Sequence, residues 1–166
     1  RWPIPDEIKQ LVGESVLDVA RRSKYLLIKF KTGTLVLHLG MSGTIRMLAN
    51  DTPIKKHDHF DLAFTNGKVL RLNDPRRFGA VLWHADHLDE HGLLSKLGPE
   101  PLSADFTQGY LFKKAKNRKV AIKTFLMNNT MVVGVGNIYA NEALFKAGIL
   151  PTIPAGKITK KRFDQL

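Results

Sequence analysis

The chain has 166 residues, 43% of them apolar and 25% charged, with 13 glycines and 8 prolines; this excludes low-complexity disorder and collagen-like repeats and fits one domain or two small lobes. Lys plus Arg number 26 against 15 Asp plus Glu, a formal charge of +11, so polyanions, nucleic acid first among them, are the expected partners. With no cysteine, these residues hold no disulfide, thiol nucleophile or thiolate zinc site.

In chain order, Asp6 stands as an N-cap before Ile8, Leu11 and Val12 at helical spacing, with Gly13 as the stop, so a short helix is expected first. Two apolar runs, Tyr25 to Phe30 and Thr34 to Leu39, flank Lys31-Thr32-Gly33 and read as a buried hairpin. A second hairpin is marked by Phe60, Leu62 and Phe64 alternating before Asn66-Gly67, a pair suited to the two positive φ angles of a type I′ turn. Val69 to Leu72 is its return strand, and Ala80 to Trp83 reads as one more strand. The strands therefore cluster before about residue 85, in a mostly antiparallel lobe.

The later chain reads as helical, beyond a boundary at Leu97-Gly98-Pro99-Glu100-Pro101. The expected division is a β lobe over 1–100 and a helical lobe over 101–166. Asp105 is placed to cap a helix running towards Lys116. Ala121, Ile122, Phe125 and Leu126 repeat at helical spacing up to Asn128-Asn129, and Ile138, Asn141, Glu142 and Phe145 sit on a further helix stopped by Gly148. Thr159 caps a last helix that the sequence leaves unfinished at Leu166, so both ends read as cuts. No apolar run reaches the ~18 residues of a membrane span, and the opening residues lack the apolar stretch of a signal peptide. A cytoplasmic protein without a membrane partner is expected.

Chemistry concentrates in a few places. Between Phe106 and Asn141 there is no Asp or Glu, yet Lys113, Lys114, Lys116, Arg118, Lys119 and Lys123 fall there, either a solvated face or a polyanion surface. In Val133-Gly134-Val135-Gly136-Asn137, the glycines permit close backbone approach and Asn137 stands as cap of a helix whose first N–H groups suit phosphate. A plain tight turn is the competing reading. His57-Asp58-His59 sets two imidazoles on one face of an extended segment, but with no third ligand identifiable a phosphate or structural role is preferred to a metal. His38, inside an apolar run, reads as a core or supporting histidine. Lys24, at the edge of a buried sheet, has either a lowered pKa useful in acid–base steps or a snorkelling ammonium. In Asp74-Pro75-Arg76-Arg77-Phe78-Gly79, a guanidinium suited to reading base edges precedes a ring suited to wedging between bases; a surface Arg with a core Phe is the alternative.

Several segments together resemble the bacterial formamidopyrimidine-DNA glycosylase family: Arg21-Arg22-Ser23-Lys24-Tyr25-Leu26-Leu27, His38-Leu39-Gly40-Met41-Ser42-Gly43, Lys56-His57-Asp58-His59, Asp74 to Gly79, Leu97 to Leu102, and Val132 to Ala140. The resemblance runs from Arg1 to about Pro151. It implies an α+β protein: an antiparallel β-sandwich lobe, then a helix-two-turn-helix lobe, with duplex DNA in the cleft and a damaged purine flipped out. It also implies base-excision repair by a glycosylase and AP lyase acting on oxidised purines such as 8-oxoguanine and formamidopyrimidines. By resemblance Lys24 is the sheet lysine assisting acid–base steps. Met41 and Phe78 fill the vacated space, Arg76 meets the unpaired base, and His57, Arg118, Lys123 and Asn137 contact DNA or lesion. The family's nucleophile is an N-terminal proline amine. Here Arg1 is the first residue, Pro3 and Pro5 have amide nitrogens, and the four-cysteine zinc finger has no ligands, so an inactive partial form without cofactor is expected. A monomer associated with the bacterial nucleoid completes the expectation. A non-catalytic DNA-binding module and a basic RNA-binding protein are the competing readings.

Overall fold

The computed structural model describes residues 3–85, 94–107 and 109–166. Arg1, read above as a cut end, and Gln108, inside the helix expected after Asp105, lie outside the described residues. The chain divides into two compact units, Arg1–Leu88 and Asp89–Leu166.

The first unit contains seven described strands: β1 (Asp18–Arg22), β2 (Tyr25–Lys29), β3 (Thr34–His38), β4 (Thr44–Ala49), β5 (Asp58–Ala63), β6 (Lys68–Asn73) and β7 (Ala80–His84). They form two antiparallel sheets, ordered β1-β2-β3-β7 and β4-β6-β5. Side chains alternate across each strand. Ile28, Leu35, Leu37 and Val81 of one sheet thus meet Leu70 and Leu72 of the other in a single core, the β-sandwich packing that two half-apolar sheets require. β1 and β4, which carry few buried positions, have no counterpart in the apolar pattern.

Alternation along β6 sends Arg71 to the face opposite Leu70 and Leu72, where it is almost fully buried. Its guanidinium binds the cross-strand Asp61 bidentately at 2.8 and 2.7 Å and donates to the carbonyls of Thr52 and Pro53 at 3.0 and 3.1 Å. The Asp61 hydrogen bonds hold the guanidinium pKa above its ordinary value. A buried cation so placed pins the loop between β4 and β5 to the outer face of the sheet.

Three local expectations are corrected in this unit. The opening helix is a 3-10 helix, Asp6–Leu11, with Pro5 at its cap; Asp6 lies inside it and pairs with Lys9 at 2.9 Å. At the second hairpin only Gly67 has positive φ, +77°, so the turn is not type I′. The Gly67 N–H donates to Phe64 at 3.2 Å and the Phe64 N–H to Lys68 at 2.8 Å, the type I turn with a glycine bulge that also joins twisted strands. His57, expected to be extended, takes φ +75° just before β5.

The second unit has four described α-helices, α1 (Tyr110–Ala115), α2 (Ile122–Leu126), α3 (Asn137–Lys146) and α4 (Lys160–Phe163), and a 3-10 helix at Ala155–Lys157. Leu111, Ile122, Phe125, Val132, Leu144 and Phe163 share its core. Gly109 caps α1, so the helix starts later than Asp105 would allow. Gly136, extended, occupies the cap of α3, which makes Asn137 the first helical residue and not the cap. Thr159 does occupy the cap of α4, though its side chain makes no capping bond. Residues 118–122 run antiparallel to 153–156. Ala121 bridges Pro154, the Ile122 N–H donates to Ile153 at 2.8 Å, Ala155 to Val120 at 2.9 Å, and Gly156 to Arg118 at 3.0 Å.

Candidate nucleic-acid interface

In the first unit, three loops meet at Asp74. It follows β6 directly and is 2% exposed. Its Oδ1 accepts from the Ser42 hydroxyl at 2.8 Å, in the β3–β4 turn. Its Oδ2 accepts from the Gly79 N–H at 2.7 Å, at the far end of its own loop. Its backbone N–H donates to the His57 carbonyl at 2.9 Å, and its carbonyl lies 3.1 Å from His59 Nε2.

Two glycines let these loops approach. A β-carbon on Gly40 would come within 2.5 Å of the Phe78 carbonyl carbon, and one on Gly79 within 2.8 Å of the His38 oxygen. The β3–β4 and β6–β7 loops therefore touch backbone to backbone, and each carries an outward apolar residue. Met41 is 73% and Phe78 57% exposed, and the Arg76 guanidinium sits 5.5 Å from the Phe78 ring centroid. Phe78 is thus no core residue. Large apolar groups held in water next to a cation mark a binding surface more than a packing need.

Burial pushes the Asp74 carboxyl up, but the N–H of Gly79, the Ser42 hydroxyl and the amides of Arg76 and Arg77 outweigh it and hold the pKa below the ordinary carboxylate value. Such a group contributes stability in full above its unfolded pKa, and the contribution is lost as pH falls through the lower folded value. The urea midpoint, followed by Trp fluorescence, is expected to fall below about pH 4 more steeply for the native chain than for Asp74→Asn. Parallel acid profiles would show that the hydrogen bonds to Asp74 carry no charge-dependent stability.

Lys24 lies exposed in the turn between β1 and β2. Across the sheet, His38 accepts the Gly40 N–H at Nδ1, 3.1 Å away, and packs against Tyr25 at 5.1 Å. Burial, then the nearby Lys24 charge, lowers the His38 pKa, so the ring is neutral at pH 7 with its proton on Nε2. His38 is half-buried at a strand end beside the Met41 turn rather than inside the core. Nothing in the apolar run around it distinguishes these two settings.

His57 sits on the loop that Arg71 pins, and the adjacent Asp58 reinforces the anchor by accepting from the Lys55 N–H at 2.7 Å and from Asn73 at 2.8 Å. Those two bonds lead the causes that hold its carboxyl below the ordinary value. The His57 and His59 rings stand 6.3 Å apart, with the Arg77 guanidinium against His59 at 3.1 Å. Among the described residues no group of three or more His, Cys, Asp or Glu is placed to hold a metal. A chain without cysteine does not fit a four-cysteine zinc site.

In the second unit Lys113, Lys114, Lys116, Arg118 and Lys119 are exposed, and Lys123 is half-buried on α2. Arg118 sits in the segment clasped by 153–156, and Asn137 opens α3, whose first turn has no acidic residue and no side-chain cap. That end of the helix presents backbone N–H groups and the positive end of the dipole.

An antiparallel sandwich with exposed apolar residues on converging loops, followed by a cationic helical unit, has the features of a protein that holds duplex nucleic acid by phosphate and enters its base stack. Residues 1–81 match the formamidopyrimidine-DNA glycosylase N-terminal domain model and residues 97–166 the helix-two-turn-helix domain model of the same proteins. The chain belongs to the formamidopyrimidine-DNA glycosylase family. It is 72% identical to the glycosylase of Colwellia psychrerythraea and 55% to that of Yersinia enterocolitica, in each case over all of this chain and 61% of the relative. The fold is similar to the Lactococcus lactis enzyme bound non-covalently to DNA containing an abasic site, with TM-score 0.88 and 32% identity over 95% of this chain and 61% of that one. MutM in complex with DNA containing carbocyclic 8-oxoguanine gives TM-score 0.88 and 33% identity over 95% and 60%. The chain spans about 60% of the length of the curated relatives it matches. Among the described residues no helix is long and apolar enough to cross a membrane.

Proposed function

We propose that the chain serves base-excision repair as part of a DNA glycosylase with AP lyase activity that removes oxidised purines from duplex DNA. The observation that carries this reading is the pair of converging loops that hold Met41 and Phe78 in water with Arg76 beside the ring. A flipped nucleotide leaves a gap in the stack, and apolar side chains filling it offset the unstacking. Arg76 then meets the orphaned base, while His57, Arg118, Lys123 and the α3 terminus at Asn137 grip phosphates. Lys24 assists proton transfer. Oxidised purines as the substrate class, a monomeric state and a place beside the bacterial nucleoid belong to the same reading.

A polypeptide of these 166 residues offers Lys24 as a primary amine but no secondary amine at Pro3 or Pro5, and a primary amine is a poor substitute for the family's nucleophile. It is expected to bind an abasic-site duplex more tightly than an undamaged one, with log affinity falling linearly against log salt, and to give almost no covalent adduct with borohydride. Each of Lys113→Ala, Lys116→Ala and Lys119→Ala that removes a phosphate contact is expected to reduce the slope by about 0.9. Equal affinity for damaged and undamaged duplex supports the RNA-binding alternative, and a flat salt plot removes the helical unit from the interface. Strong trapping that survives Lys24→Ala shows that the nucleophile is misassigned.

A further inference from the structure

We propose that Asp74 is a positioning residue that joins the Met41 turn and the Arg76–Phe78 loop into one rigid element, so that both apolar side chains enter a duplex together. The proposal rests on the reading that these residues enter the base stack, and it names what sets them.

The carboxylate is divided between the two loops. Oδ1 takes the hydroxyl of Ser42, next to Met41, and Oδ2 takes the N–H of Gly79, next to Phe78. An asparagine amide can still accept from the Gly79 N–H and donate to the Ser42 oxygen, but both bonds then lose the charge that strengthens them, which is a chemical reason for a carboxylate here. The backbone of Asp74 adds a third attachment through the His57 carbonyl. Gly40 lies against the Phe78 carbonyl, so movement of one loop presses on the other. Burial of the charge, at 2% exposure, keeps water from replacing these bonds and makes each costly to break. Loops joined in this way are ordered before DNA arrives, which removes an ordering cost from the binding step.

The test is a double-mutant cycle of Met41→Ala and Phe78→Ala, read as affinity for a duplex carrying an intact oxidised purine and as fluorescence of 2-aminopurine opposite the lesion. In the native background the two losses should be non-additive by a factor of about ten. In Ser42→Ala, which removes only the strut, they should become additive, and the 2-aminopurine signal should fall while the salt slope set by phosphate contacts does not change. Ser42→Thr, which keeps the hydroxyl, should restore the coupling. Asp74→Ala, which removes both acceptors, should behave as Ser42→Ala does; if it does not fold, Ser42→Ala carries the test alone. Additive losses in the native background, or coupling that persists in Ser42→Ala, overturn the proposal. A native chain that does not prefer the abasic duplex overturns the functional reading on which it rests, which separates the two failures.

Discussion

Phe78→Ala is expected to weaken binding to a duplex carrying an intact oxidised purine by about fivefold to more than a hundredfold, the about 1–3 kcal/mol that a base–aromatic stack supplies. The ring is over half exposed, so truncation opens no core cavity and the folded chain should unfold at nearly the same urea concentration. Binding to DNA already gapped or abasic should fall much less, because less stacking has to be broken there. Arg76→Ala is expected to leave a different signature. Its guanidinium donates to acceptors on a base edge, so its loss should change the preference for the base opposite the lesion. Equal losses on every duplex, for both substitutions, would leave only the phosphate grip.

The second large effect concerns backbone rather than side chains. Gly40 and Gly67 both have left-handed φ, +62° and +77°, and alanine at either position adds roughly 1–2 kcal/mol of backbone strain. Only at Gly40 does the new methyl meet structure, the Phe78 carbonyl carbon at 2.5 Å; at Gly67 nothing lies within 4 Å. Gly40→Ala should therefore destabilise the chain by about 1–3 kcal/mol more than Gly67→Ala, the usual range for overpacking. It should also share the lesion-binding defect of Phe78→Ala, because the β6–β7 loop has to move away. Similar urea midpoints for the two variants would show that the loops are not in contact in solution.

Legibility in the sequence followed the range of the interaction. The β2–β3 hairpin was readable because Leu35 and Leu37 repeat in a local pattern that burial imposes directly. β1 and β4 were not, since Val19, Arg21, Arg46 and Met47 meet water or a sheet edge and carry no apolar signature. Asn66-Gly67 announced a turn, but its type depends on whether Asn66 also takes positive φ, and it does not. Gly109 and Gly136 occupy the cap positions of α1 and α3 that Asp105 and Asn137 are expected to fill. The loops bearing Met41, Arg76 and Phe78 are legible through the family-like segments, whereas the carboxylate joining them is not. Asp74 and Ser42 are 32 residues apart, and a buried acid held by neutral donors resembles any loop aspartate until the chain is folded.

The pairing of residues 118–122 with 153–156 bears on the order in which this chain is made. The segment that presents Arg118 and leads into Lys123 takes its shape from carbonyls and N–H groups more than thirty positions later. Chains fold during synthesis from the N-terminus at about 5–20 residues per second. All the described strands have been made once β7 has emerged, whereas the cationic segment lacks its antiparallel partner until Ala155 and Gly156 leave the ribosome. For a few seconds the nascent chain holds β strands ready to pair and a basic, unformed tail, and on a ribosome made largely of RNA that tail is the part most open to the wrong polyanion.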